Sequence, residues 1–165
     1  MATVTRLTAS REFEAEALLL AGRLSEERGN FEGARNAYES ARYADPRDIE
    51  PLQRLARLCF QSNEDNSAER AIRALLAITP EDASAHHNLG SVLLRTSRPS
   101  EAVLEFRRSL ELRPGSIETR VCLGYGLRAA GDRRGAAETW QAVLASQPDN
   151  KEVAEALQSL DKLPA

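Results

Sequence analysis

The chain has 165 residues, about the length of one domain. Ala, Leu, Glu, Arg and Lys supply more than half of it and Val, Ile and Thr are sparse, which argues against an open β-sandwich or a parallel-sheet enzyme and predicts an almost wholly helical protein. A net charge of −3 provides no bulk attraction to nucleic acid or to an anionic membrane. The longest apolar run, from Ala17 to Gly22, is far short of the ~20 residues a membrane span needs. No apolar core of signal-peptide length lies between Met1 and Ser10, so a soluble, cytoplasmic protein is expected. Cys59 and Cys122 have no metal-ligand spacing and read as reduced thiols. Arginine greatly outnumbers lysine, but the arginines are spread along the whole chain.

A ladder of prolines organises everything else. Pro46, Pro80, Pro114 and Pro148 stand at equal intervals of 34 residues. Other columns share that interval. Ala34, Ala68, Ala102 and Ala136 form one. Gly22, Ala56, Gly90 and Gly124, all small, form a second. Asp48, Asp82, Ser116 and Asn150, all of the helix N-cap type, form a third.

The predicted elements follow in chain order. Met1–Ala9 reads as a short arm with a β-prone stretch, Thr3 to Leu7, after which Ser10 can cap a first helix. Four helix–turn–helix repeats then span 15–48, 49–82, 83–116 and 117–150. Gly29 and Gly131 stand where a helix end needs a left-handed residue. In the third repeat Asp82 caps helix A and Leu89, Val92 and Leu93 form its packing stripe. Helix B turns Ala102, Val103, Phe106 and Leu110 inward, and Pro114 ends the repeat. Residues 151–165 form a capping helix and tail, with Val153, Ala154, Leu157 and Leu160 on one face.

The columns resemble the tetratricopeptide repeat family over nearly the whole chain. The family pattern of Leu-Gly, aromatic, Ala, aromatic and Pro is met by Leu89-Gly90, by the alanine column, by Tyr38, Phe106 and Trp140 (with Ile72 in the second repeat) and by the prolines. The resemblance implies an all-α, right-handed α-solenoid whose A helices line a concave groove that holds a partner segment. Carried over position by position, it implies groove contacts from Arg23, Gln53, Arg54, Arg57, His87, Asn88, Ser91, Arg95, Cys122, Tyr125 and Arg128, with Glu26 and Glu50 among them. Glu50 and Arg54 are an i, i+4 pair and can satisfy each other, and Arg128 has Asp132 four residues on. Arg57 lacks a carboxylate at i±4, so Arg57, Arg95 and Tyr125 are expected to offer a site for an acidic or carboxylate-bearing peptide. Two sub-patterns of the family are tested directly. The carboxylate clamp is absent, its positions holding Leu19, Arg23, Arg54, Ser84 and Asn88. Of the asparagine ladder only Asn88 fits.

No phosphate loop or metal-ligand spacing is present, and no metal or cofactor is expected. His86 and His87 are adjacent and point about 100° apart on a helix, so they cannot chelate together. Cys122 and His87 share the implied groove, but an activated nucleophile needs an orienting third group that is missing. The expected function is a non-catalytic protein-interaction adaptor. The alternatives are a self-assembling scaffold, which the arm and the exposed terminal repeat would serve, and a small dedicated chaperone of a bacterial secretion or assembly system.

Overall fold

A computed structural model describes residues 2–161, with side chains from 10 to 160. Met1 of the expected arm and the tail at 162–165 lie outside the described residues. Within them are nine helices and no strand. They are α1 (Ala2–Glu27), α2 (Phe31–Ala44), α3 (Glu50–Gln61), α4 (Asp65–Ile78), α5 (Ala83–Arg95), α6 (Pro99–Leu112), α7 (Ile117–Ala129), α8 (Arg133–Ser146) and α9 (Lys151–Asp161). The chain is all-α, and its helices form two compact units. Met1–Pro80 holds α1 to α4, and Glu81–Ala165 holds α5 to α9. No described helix is long and apolar enough to cross a membrane.

The pairs α1/α2, α3/α4, α5/α6 and α7/α8 are helix–turn–helix repeats, and one steric match sets each crossing. A Cβ placed on Gly22 would come 2.4 Å from the Tyr38 ring, one on Gly90 2.7 Å from Phe106, and one on Gly124 2.1 Å from Trp140. The three aromatic rings are fully buried, so helix A can approach helix B only where it carries no side chain. In the second repeat the same two positions hold Ala56 and Ile72, both buried: a larger A-helix residue faces a smaller B-helix one. Ala34, Ala68, Ala102 and Ala136 are wholly buried beside these crossings. Trp140 Nε1 also donates to the Val121 carbonyl at 3.2 Å, which satisfies the one polar atom of that ring.

The turns repeat as faithfully as the crossings. The N–H of Asn30, Glu64, Arg98 and Asp132 each returns five residues, to the carbonyls of Ser25, Cys59, Leu93 and Leu127 at 2.8–2.9 Å. That bond closes a Schellman cap and requires a left-handed residue just before it. Gly29 (φ +74°) and Gly131 (φ +88°) meet the requirement without strain, as expected from the sequence, whereas Asn63 (φ 56°) and Ser97 (φ 59°) meet it with a side chain in place. Three members of the N-cap column cap their helices: Asp82 accepts from Ser84 and Ala85, Ser116 from Thr119 and Asn150 from Val153. Asp48 accepts from Glu50 but stands one residue before the N-cap of α3, Ile49.

Three expectations change. The arm is absent as an arm, because α1 is helical from Ala2 and Ser10 lies inside it. Extending an existing helix adds one hydrogen bond per residue fixed, which outweighs the few tenths of a kcal/mol by which Thr and Val disfavour it. In α6 the buried residue is Ser109 rather than Leu110. Its hydroxyl donates to the Ala83 carbonyl at 2.7 Å, while Leu110 is half-buried. In α9 the buried face runs through Val153, Ala156 and Leu160, with Ala154 and Leu157 half-buried.

Because a left-handed β-carbon is strained at Ser97, Ser97→Gly is expected to raise stability by about 0.5–1 kcal/mol in urea unfolding, with an unchanged m value. Destabilisation would contradict the Schellman assignment of that turn.

Candidate functional site: the A-helix faces

In the first unit the A helices present an alternating ladder of charge. Arg23 of α1 pairs with Glu50 of α3. Glu50 Oε1 also accepts from Arg54 Nε at 3.2 Å and Nη2 at 3.1 Å, one helical turn on. Glu26 of α1 accepts from Arg57 Nη2 at 2.7 Å and lies 3.8 Å from Arg54 Nη1. The Tyr38 hydroxyl, reaching through from α2, donates to the other Glu26 oxygen at 2.7 Å. Burial by itself would raise the Glu26 carboxyl, but the Tyr38 hydroxyl with Arg57 and Arg54 outweighs it and holds the group below the ordinary carboxylate range. Burial, followed by the neighbouring Glu26 charge, pushes Tyr38 up to about 12. The expectation that Arg57 lacks a carboxylate is therefore corrected: its partner comes from the neighbouring helix, 31 residues away. Arg23, Glu26, Glu27, Arg54 and Arg57 surround an open depression here, and Gln53 is exposed on the same helix.

In the second unit the corresponding face has two parts. Near the start of α5 and α7, a pocket of 160 Å³ is lined by Ser84, His87, Asn88, Arg113, Ser116 and Thr119, among others. His87 Nδ1 shares a 3.0 Å hydrogen bond with the Thr119 hydroxyl, and its ring tilts against Phe106 at 5.8 Å between centroids. Burial pushes His87 below the usual imidazole value, partly offset by Glu118, so the ring is neutral at pH 7. Asn88 is half-buried beside it and makes no side-chain hydrogen bond among the described residues. Ser91 bonds back to the His87 carbonyl, and Arg95 lies exposed at the end of α5.

Further along, α9 engages the face of α7. The Tyr125 hydroxyl donates to Glu152 at 2.8 Å and Arg128 reaches Ser159 at 3.5 Å. The Arg128 guanidinium lies over the rings of Tyr125 and Trp140, at 5.2 and 5.6 Å. Arg128 therefore does not pair with Asp132, whose carboxylate caps α8 through Gly135 N–H. Burial, then Glu118 and Glu152, pushes the Cys122 thiol up to about 11, the reverse of what a nucleophile needs. Of the expected contacts, the structure gathers Arg23, Arg54 and Arg57 in one unit and His87 and Asn88 in the other, and it ties Tyr125 and Arg128 to α9. Thr119, Tyr38 and Glu152 were not anticipated. Thr119 and Tyr38 come from outside the implied groove positions and Glu152 from the terminal helix, so no local spacing marks them.

The known proteins that share this arrangement agree on the architecture. Sequence profiles of the tetratricopeptide repeat match residues 2–49, 26–91 and 83–116. The chain belongs to the tetratricopeptide repeat family. It is 32% identical over 82 residues to a peroxisomal targeting signal receptor of Eremothecium gossypii, and 29% identical over 99 residues to tetratricopeptide repeat protein 7B of Homo sapiens. Those segments are 49% and 60% of this chain, but only 14% and 12% of the relatives' own lengths. Among solved structures, MamA superposes with a TM-score of 0.85 at 19% identity, covering 90% of this chain and 81% of that one. YrrB superposes with a TM-score of 0.78 at 18% identity, covering 95% and 86%. These likenesses establish the fold: the helix pairs are the repeat unit of an α-solenoid.

Glu26 contributes to stability fully above its unfolded pKa, and that contribution is lost as pH falls through its lower folded value. Glu26→Gln is therefore expected to cost about 1 kcal/mol at pH 7, with the gap to the natural protein closing below the carboxylate range in urea titrations run across pH. A gap independent of pH would show that the ladder's charge is not what stabilises it.

Proposed function

We propose that this chain is a non-catalytic adaptor that holds an extended segment of a partner protein against its A helices, with Asn88 as the main backbone contact. The observation that carries the reading is the half-buried Asn88 amide, which lines a polar pocket without a side-chain hydrogen bond among the described residues. A primary amide offers a donor and an acceptor in one plane, so it can hold a peptide unit of a partner without reading its sequence. Ser84 and Arg113 line the same pocket and supply a hydroxyl and a cation for a flanking carbonyl or carboxylate.

Two structural neighbours support the class of ligand. YrrB is described as carrying an unusual peptide-binding site, and the first repeat domain of Spaghetti (RPAP3), 22% identical at a TM-score of 0.66, was solved with an HSP90 peptide. The expected preference for acidic partners gains nothing from the first unit's A face. Arg23, Arg54 and Arg57 meet Glu26, Glu27 and Glu50 there, so the charges balance. On this reading Tyr125 and Arg128 act through α9, by holding the terminal helix on the repeat beneath it.

The test is capture from native cell extract on immobilised chain, followed by titration of the captured partner's binding segment. Asn88→Ala is expected to weaken binding about tenfold, the loss of one or two hydrogen bonds, with an unchanged melting temperature. Equal affinity of Asn88→Ala and the natural protein would remove α5 from the site and overturn the reading.

A further inference from the structure

The first unit carries a second cavity, away from the A face. It measures about 430 Å³ and lies between the two B helices, α2 and α4, with α3 beneath. Leu52 and Leu55 of α3 form its floor, on the side of that helix opposite Arg54 and Arg57, and Ala71 and Ala74 of α4 continue it. Arg42 and Arg70 stand on its walls. The volume is in the range of sites that enclose a ligand group, and its lining runs along α2 from Arg35 to Tyr43 and along α4 from Ser67 to Ala74, a trough about 12 Å long at ~1.5 Å per residue.

Two of the three arginines lining the cavity have no carboxylate partner among the described residues. Arg35, on the same rim, is engaged by Glu64. Arg42 stacks 4.9 Å from the Tyr43 ring, but its Nε is buried with no hydrogen-bond partner. The contact recorded for Arg70 is a 3.4 Å approach to the Ser67 hydroxyl. Glu39 is the one further carboxylate lining the cavity, so two guanidiniums face one carboxylate. The repeat pattern sharpens the point. At the position of Arg42 the other three repeats hold Leu76, Leu110 and Leu144, all half-buried. A leucine is what packing requires at that site. An arginine there costs desolvation of a buried donor, and its Nε gains no acceptor from the surrounding protein.

We infer that this trough is a second docking site, for a short protein segment in which a bulky aliphatic or aromatic side chain is flanked by carboxylates. The apolar side chain rests on Leu52 and Leu55. The carboxylates pair with the guanidiniums of Arg42 and Arg70. The site is independent of Asn88 and lies on the opposite side of α3 from the charge ladder, so the chain can hold two partner segments at once.

The experiment is a selection of random short peptides displayed on phage against the full chain. Fluorescence anisotropy of the enriched peptides then compares the natural protein with Arg42→Leu, Arg70→Glu and Asn88→Ala. Arg42→Leu restores the residue of the other repeats, and its melting temperature confirms that it folds. The expected result is an enriched motif with Asp or Glu flanking a bulky apolar residue, weakened about tenfold or more by Arg42→Leu and by Arg70→Glu and unchanged by Asn88→Ala. Failure to enrich any peptide that both arginine variants weaken, or enrichment through apolar residues alone, overturns the inference. Peptides weakened only by Asn88→Ala would support the A-face site and refute this one.

Discussion

Three of the four repeats are built on one close approach, between a helix A glycine and a buried aromatic ring of helix B, and the second matches Ala56 with Ile72 at the same two positions. Gly22 under Tyr38, Gly90 under Phe106 and Gly124 under Trp140 let the two backbones come together at a distance that a single methyl group would violate. With that crossing set, the rotation of each A helix about its axis is no longer free. The residues on its inner side are committed to the core, and those on its outer side face outward in every repeat. The Schellman turns, with Gly29, Asn63, Ser97 and Gly131 all left-handed, then close each helix pair with the same hydrogen bond. The functional faces follow from these two local devices, because packing leaves only the outward positions open to variation.

Much of that variation is spent within the molecule. Arg23, Glu50, Arg54, Glu26 and Arg57 form a continuous chain of ion pairs linking α1 to α3, and Tyr38 extends it into the core through its hydroxyl. α9 similarly claims Tyr125 and Arg128. Asn88 on the A face and Arg42 and Arg70 between the B helices are the least committed polar side chains of the two proposed sites. A polar group that packing does not need and the protein does not satisfy is the strongest static indication of an external partner.

The backbone was legible in the sequence wherever a residue type answers to one constraint. Prolines end helices, small residues permit crossings and N-cap residues accept from the first free N–H groups, so four columns placed the turns and the packed faces correctly. The surface was less legible, because its constraints act between helices. The partner of Arg57 lies 31 residues away and that of Tyr125 27 residues away, beyond any i±4 rule. Ser109 replaces an apolar residue in its column because it can reach a carbonyl one helix back, which no local pattern announces. The Arg42 anomaly was present as one arginine in a column of leucines, but a column acquires meaning only once its burial is known.

The most direct test of the size-matched crossing is a double-mutant cycle in the one repeat that departs from the glycine–aromatic pair. The A-helix position there holds Ala56 and the B-helix position holds Ile72. If the crossing governs the fold, Ile72→Phe alone destabilises by overpacking and Ala56→Gly alone destabilises by leaving space, whereas the pair together recovers most of the loss. The predicted coupling is at least about 1 kcal/mol in favour of the double variant in urea unfolding. Additive losses would mean that the two positions do not meet, and the crossing would not be the element on which each repeat is built.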